Sequence, residues 1–562
     1  MPLPYRVALI GLLATLAACG GGGGDGGGAE PPPTGLCAAG QSHAVVRTAQ
    51  ASAGKNIGIA LAGCGGALSG VQWTQTAGPA VAILADKTQP IAFDAELPGA
   101  YAFSASFIDA TGAARNQSVS LDVATPVAAS LVSVRASHSV RMGANVSVRA
   151  WPADGVSVQS IAWSVVEGPA ATLDTRDSHV AIFTAPQVSA DTPMRLRATL
   201  TASDGRSDTA EVLVLVERHA QAAANDSGAL WEGTHISRVY PYRAASPYAS
   251  VLVGCVYDSA RRDNNTCPLA QLPFLATTHG GAPPTVEQVM DRVLVSHDWL
   301  GRNFEAFLRT QDAQGDFRRM LMSTTAIVLG SHVRPSYYFA GTGAIYLDAD
   351  NLWLTPAERD TVSEAPDFRS DFDRDLAYTG LWRYVRDNRS VFLPFDARSR
   401  VARDVGYLLD ETGWLMYHEL AHALDFLPPS AYAALNPGLG PWPNISPRFQ
   451  ARQLASQVMP AAWPLTSTVM HGLGQVKFQG VTASAEQRAY TPDQVGAFFA
   501  VDLASDEYNY STPQEDAAMT LEEFLMSRRL GIQRDMAMAD KLAADAKSAT
   551  AIVRWGQRGR IG

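Results

Sequence analysis

At 562 residues the chain is longer than one hydrophobic core usually serves, so three or so domains are expected. With 47% apolar and 17% charged residues, it has the composition of folded domains and excludes extensive disorder beyond the first tens of residues. The formal net charge of -10, without any Lys/Arg cluster, argues against a surface that tracks phosphates, and nucleic acid is not an expected partner.

The first 18 residues read as an export signal: Arg6 supplies positive charge and Val7 to Ala18 form an apolar run ending in small residues. That run is too short to span a bilayer as a helix. Its end, Leu16-Ala17-Ala18-Cys19, resembles the lipobox of bacterial lipoproteins. The resemblance implies cleavage before Cys19, lipidation of its thiol, and attachment to a membrane of the bacterial cell envelope as an outer-membrane lipoprotein facing the periplasm or the exterior. Residues 19–37 form a Gly/Pro-rich tether, flexible from Gly20 to Gly28 and stiffened by Pro31 to Pro33. In an oxidising compartment Cys37, Cys64, Cys255 and Cys267 are expected to form disulfides, and proximity favours Cys37 with Cys64 and Cys255 with Cys267.

Trp73, Gly78, Pro79 and Phe93 recur as Trp163, Gly168, Pro169 and Phe183, a repeat with a period of 90 residues. Each copy is a series of short strand-like runs between Gly, Pro and Asp turns, which predicts two consecutive β-sandwiches over 38–125 and 126–217. The strand Trp, the Gly-Pro turn and the later turns at Asp109 to Gly112 and Asp204-Gly205 resemble the PKD-like branch of immunoglobulin-like modules. Each Trp reads as core. The modules are expected to act as spacers, and 218–230 as a linker.

From Trp231 the patterns lengthen. Thr285 is expected to cap a helix running toward Leu308, with His297 on it as a structural residue. Ala344 to Leu347 reads as a short strand, and Thr355-Pro356-Ala357-Glu358 as a capping box. Residues 231–562 are therefore expected to be an α+β, helix-rich domain, and the whole chain a multidomain protein of two all-β sandwiches followed by that domain.

Met416 to Leu427 is a helical stretch stopped by Pro428-Pro429, and it carries His418-Glu419-Leu420-Ala421-His422. Residues four apart share a helix side, so both imidazoles can reach one ion while Glu419 lies beside it. Leu415, Leu420, Leu424 and Leu427 give this helix an apolar side to bury. A third ligand must come from elsewhere, because catalytic zinc usually has three protein ligands. Glu515 is the best candidate, in the first turn of a helix expected from Pro513 to about Leu530. The competing reading is that Thr512-Pro513-Gln514-Glu515 is a capping box and Glu515 merely caps its own helix. Glu522 and Glu523 are fallback ligands.

His418 to Asp425, followed far downstream by Tyr508 and Glu515-Asp516-Ala517-Ala518, resembles the Glu-zincin plan, and more narrowly the lethal-factor-like metallopeptidases. The resemblance spans roughly residues 405 to 530 and implies a zincin-like catalytic domain. It further implies His418, His422 and Glu515 as ligands of one catalytic Zn²⁺, Tyr508 as the donor to the tetrahedral oxyanion, and Asp425 or Asp516 as outer residues that orient the ligands. Met519 stands where the family often has a second acidic residue. A phenol also suits the negative charge that builds on an attacked carbonyl, with Tyr510 and His471 as alternatives to Tyr508.

The expected function is zinc-dependent hydrolysis of a protein or peptide substrate, with Glu419 carrying the proton. The alternative is a surface adhesin or glycan-binding lipoprotein with a non-catalytic zincin fold. Ala344 to Leu347 is expected to be the edge strand along which an extended substrate lies.

Overall fold

The computed structural model describes residues 36–556 apart from 137–138, 220–237, 259–260, 263–264, 394, 396–399, 503 and 542–551. The expected signal segment, the lipidation site Cys19, and nearly all of the tether and linker lie outside the described residues.

Strands β1 (His43–Arg47), β2 (Asn56–Gly63), β3 (Ser69–Ala77), β4 (Pro90–Asp94), β5 (Gly99–Ile108) and β6 (Ala114–Val123) form two antiparallel sheets, ordered β1-β2-β4 and β3-β5-β6. Alternation decides which side chains meet between them: Tyr101, Phe103, Ala105 and Phe107 of β5 point inward onto Ile57, Ile59, Trp73 and Phe93. A second sandwich follows from β7 (Val132–Ala136), β8 (Ser139–Arg141), β9 (Asn145–Pro152), β10 (Val158–Glu167), β11 (Val180–Thr184), β12 (Thr192–Ala202) and β13 (Ser207–Glu217). Its sheets are ordered β11-β9-β7 and β10-β12-β13-β8. Both are immunoglobulin-like sandwiches.

The sequence repeat is a repeat of contacts. Trp73 Nε1 donates to the Thr88 carbonyl at 3.0 Å, and Trp163 Nε1 to the Ser178 carbonyl at 2.9 Å. Gly78 and Gly168 have φ of +97° and +94°, and a Cβ on either would lie 2.5 Å from a carbonyl oxygen, of Ala100 or of Pro193. Positive φ and close backbone approach together require glycine.

The sandwiches are seated on each other and on the C-terminal region. Lys55 Nζ meets Asp208 at 2.6 Å, and Leu213 and Leu215 of β13 pack on Val46, Ala60 and Ala62. Lys87 pairs with Asp298 at 2.9 Å, the Trp151 indole donates to Asp360 at 2.8 Å, and Arg149 forks onto Glu364. The disulfides are Cys37–Cys64 and Cys255–Cys267.

The C-terminal region is helix-rich and holds a mixed sheet ordered β14-β15-β16-β18-β17: β14 (Tyr240–Pro241), β15 (Val293–Val295), β16 (Ile327–Gly330), β17 (Tyr337–Phe339) and β18 (Ala344–Asp348). Two expectations need correction. Thr285 does cap a helix, but that helix is only Val286–Met290. The chain then enters β15, and a new helix, Asp298–Thr310, follows His297. The fully buried Val293-Leu294-Val295 run pairs with β14 and β16, so sheet packing overrides the helical period. The strand at Ala344 to Leu347 exists, but β16 and β17 flank it, and the edge on its side of the sheet is β17, antiparallel to β18. A further antiparallel sheet, β20-β19-β21-β22, is built from β19 (Tyr378–Arg386), β20 (Arg389–Ser390), β21 (Gln533–Asp540) and β22 (Ile552–Gly556). Among the described residues no helix is long and apolar enough to cross a membrane.

Candidate metal centre

The motif helix runs from Tyr407 to Phe426, starting earlier than the expected Met416 and ending with Leu427 as its C-cap before the two prolines. Leu408, Leu415, Met416, Leu420 and Ala423 bury one side in the main core with Trp299, Leu329 and Ile345, which fixes the helix against the mixed sheet. His418 and His422 lie one turn apart, ring centroids 5.0 Å from each other.

The second helix, Pro513–Leu530, packs against the first and brings Glu515 to both imidazoles. Thr512 Oγ1 accepts the Glu515 amide at 3.1 Å, which caps the helix. The Glu515 carboxylate turns to the histidines: Oε2 lies 3.1 Å from His418 Nε2 and 3.2 Å from His422 Nε2. One donor atom from each of these three residues lies within 4.8 Å of the others, so the group could hold a metal ion. Burial opposes the ionised form of Glu515, but His422 and His418 outweigh it and hold the carboxyl well below the usual range. Burial likewise opposes a charged His418, yet its bonds to Glu515 and Glu522 raise the imidazole well above its ordinary value.

Glu522 lies seven residues beyond Glu515, two turns along the same helix, and reaches the same histidine from behind. Its Oε2 is 2.8 Å from His418 Nδ1, and its Oε1 takes the Tyr384 hydroxyl and lies 3.4 Å from Arg534 Nη1. Nδ1 is thereby engaged and Nε2 faces the centre. Glu523 points elsewhere, to the Ser505 hydroxyl, and burial pushes its carboxyl up to about 8. Asp425 accepts the Ser456 amide at 3.1 Å, and Asp516 accepts from Asn509 Nδ2 at 3.0 Å. Asp516 therefore steadies the turn that carries Tyr508, and the carboxylate that bonds the imidazole of His418 from behind is Glu522.

Glu419 is buried beside the histidines, and that burial raises its carboxyl. Tyr508 sits in a short 3₁₀ turn, Glu507–Tyr510, capped by Asp506, which accepts the Tyr508 amide at 2.9 Å. Its ring stacks on His418 with centroids 6.0 Å apart and meets Phe478 edge-on at 4.8 Å, and the charges of Glu515 and Arg369 act on its hydroxyl. Burial, then the Glu515 charge, keeps this phenol well above its ordinary range and so protonated. Tyr510 instead donates to Asp502 at 2.8 Å, and His471 approaches the Tyr510 carbonyl at 3.2 Å. Neither is brought to the three-residue group in these bonds.

Sequence reasoning did not find Arg369, Tyr384 or Arg534. Arg369 comes from the segment after the mixed sheet and Arg534 from β21, and neither has a fixed spacing to the motif. Glu522 did carry a signal, its two-turn spacing from Glu515.

No protein-family model matches the sequence, and no curated protein matches it. Similar solved structures include the PKD domain of the KIAA 1837 protein, 16% identical, covering 18% of this chain and 100% of that one, with a TM-score of 0.14. Others are fibronectin(III)-like modules of Clostridium thermocellum CbhA (14% identity, 31% and 94% of the two chains, TM-score 0.12) and the Bacteroides ovatus glucan-utilisation protein SGBP-B (16%, 34% and 53%, TM-score 0.12). The sandwich assignment rests on the strand pairing of this chain itself.

Proposed function

We propose that this chain is a zinc-dependent peptidase, and the observation that carries the reading is the convergence of His418 Nε2, His422 Nε2 and Glu515 Oε2 beside the buried Glu419. Two imidazole nitrogens and one carboxylate are a donor set that zinc accepts with a position left for water, and Glu522 on His418 Nδ1 is the kind of outer partner such imidazoles use. When bound, zinc supplies Lewis acidity that polarises a carbonyl and makes water a nucleophile near neutral pH.

The residues of the chain account for the rest of the chemistry. Glu419 takes a proton from the attacking water as the carbonyl carbon gains its oxygen, and passes it to the nitrogen as the C–N bond breaks. Burial raises its carboxyl, which suits a group that must both accept and donate. Tyr508 holds a proton beside the centre and can donate it to the oxyanion as a hydrogen bond. The edge strand β17, which contacts the motif helix, offers the backbone along which an extended peptide would lie. On this reading the enzyme is anchored in the bacterial envelope through lipidated Cys19, and its two disulfides suit an oxidising compartment.

The test is Glu419→Gln in the full chain, assayed for zinc content and for cleavage of fluorophore-labelled casein. The expected result is about one zinc per chain in both proteins and cleavage by the parent alone. Equal cleavage by both removes Glu419 from the mechanism; zinc without cleavage in the parent favours a binding protein.

A further inference from the structure

Arg534, on β21, has a side chain only 5% exposed and stands between two carboxylates that serve different parts of the site. Its Nη2 and Nε meet Asp506 Oδ2 at 2.6 and 3.1 Å, and its Nη1 lies 3.4 Å from Glu522 Oε1. The ring of Trp382 lies 4.3 Å from the guanidinium carbon, so an aromatic face helps hold the group in place. Beyond Glu522 lies His418 Nδ1; beyond Asp506 lies the amide of Tyr508. One cation therefore touches both the partner of a ligand imidazole and the cap of the turn that presents the phenol.

We infer that Arg534 is a positioning residue that couples the His418 imidazole to the Tyr508 turn, a role that rests on the metal-centre reading above. Two carboxylates this deep have lost their water and repel each other. A guanidinium offsets both because its donors point along different edges of a rigid plane. Lysine brings the same charge but a single donor head, so it satisfies one carboxylate and releases the other. If Glu522 is released, His418 Nδ1 loses its acceptor and the ring turns away from the ligand position. If Asp506 is released, the turn loses its cap.

The experiment uses zinc alone as probe, on the full chain. Zinc affinity is measured by chelator competition for the parent, Arg534→Lys, Glu522→Gln and the double variant, with amide exchange followed over residues 506–510. The expected result is 10- to 100-fold weaker zinc binding in Arg534→Lys, the range seen when an outer partner of a metal ligand is lost. The double variant should bind no more weakly than the weaker single, since both act through one contact. Exchange over 506–510 should quicken in Arg534→Lys. Parent-like affinity, additive losses or unchanged exchange would each overturn the coupling. Should Arg534→Lys fail to fold, Asp506→Asn cuts the same link from the turn side; weaker zinc binding there supports the inference, and parent-like binding overturns it. A parent that binds no zinc overturns both this inference and the proposed function, whereas zinc binding without casein cleavage overturns the peptidase alone.

Discussion

Thr512 Oγ1 accepts the backbone N–H of Glu515 at 3.1 Å, while the carboxylate of the same Glu515 faces His418 and His422. Backbone and side chain of one residue thus serve different ends: helix capping and, on the proposed reading, supply of a metal ligand. Their loss should separate. Thr512→Ala is expected to cost about 1 kcal/mol of stability and keep its zinc. Glu515→Ala should keep its cap and lose zinc affinity by more than about 100-fold, beyond what loss of an outer partner costs. Thermal unfolding and chelator competition on both variants measure the two effects; zinc loss in Thr512→Ala equal to that in Glu515→Ala would refute the division.

That division also marks how far the sequence could be read. A Thr-x-x-Glu box and a Glu ligand look the same in one dimension, because both need the carboxylate in the first helical turn, and only the packing of the two helices decides where it points. The motif helix was legible because His418 and His422 carry their geometry in their spacing. The sandwiches were legible because Trp73 and Trp163 repeat with their partners. Strand order was not: nothing local in Ala344 to Leu347 says that Tyr337–Phe339 pairs outside it. Nor could any window of sequence announce Arg534, which reaches Glu522 and Asp506 from a strand paired with Tyr378–Arg386.

Gly78 and Gly168 offer a paired test of the repeat. An alanine Cβ at either would meet a carbonyl oxygen at 2.5 Å, with φ already in the left-handed region. Each substitution is expected to destabilise its own sandwich by roughly 2 kcal/mol or more. Gly65→Ala, with nothing within 4 Å of the added carbon, is the control and should stay within about 0.5 kcal/mol. Calorimetry showing all three variants alike would mean that the turns relax freely.

Arg149 and Glu364 tie the second sandwich to the C-terminal region, and the two partners differ in exposure: the Arg149 side chain is 9% exposed and that of Glu364 31%. Glu364→Ala leaves a buried cation facing no carboxylate, whereas Arg149→Met leaves a carboxylate that water can reach. The first is therefore expected to be the more destabilising, by roughly 1–2 kcal/mol after allowance for solvent screening. Denaturant unfolding of the two variants and the parent gives the ranking, and a reversed order would show that the Arg149 stem matters more than its charge.

His332 supplies a pH dependence from a histidine outside the motif. Burial, then the charge of Arg334, pushes its imidazole down to about 4, its Nδ1 lies 3.0 Å from Ser331 Oγ, and its buried Nε2 has no hydrogen-bond partner. Below the ordinary value near 6.5 the unfolded chain takes up a proton that the folded protein refuses. The contribution of the neutral ring is thus complete above pH 6.5, declines as pH falls toward 4, and is lost below that. His332→Asn keeps a polar group toward Ser331 without a titrating one, so its unfolding temperature should fall less than that of the parent between pH 6.5 and 4. Parallel curves for the two proteins across that window would mean that the folded protein accepts the proton at His332 as readily as the unfolded chain does.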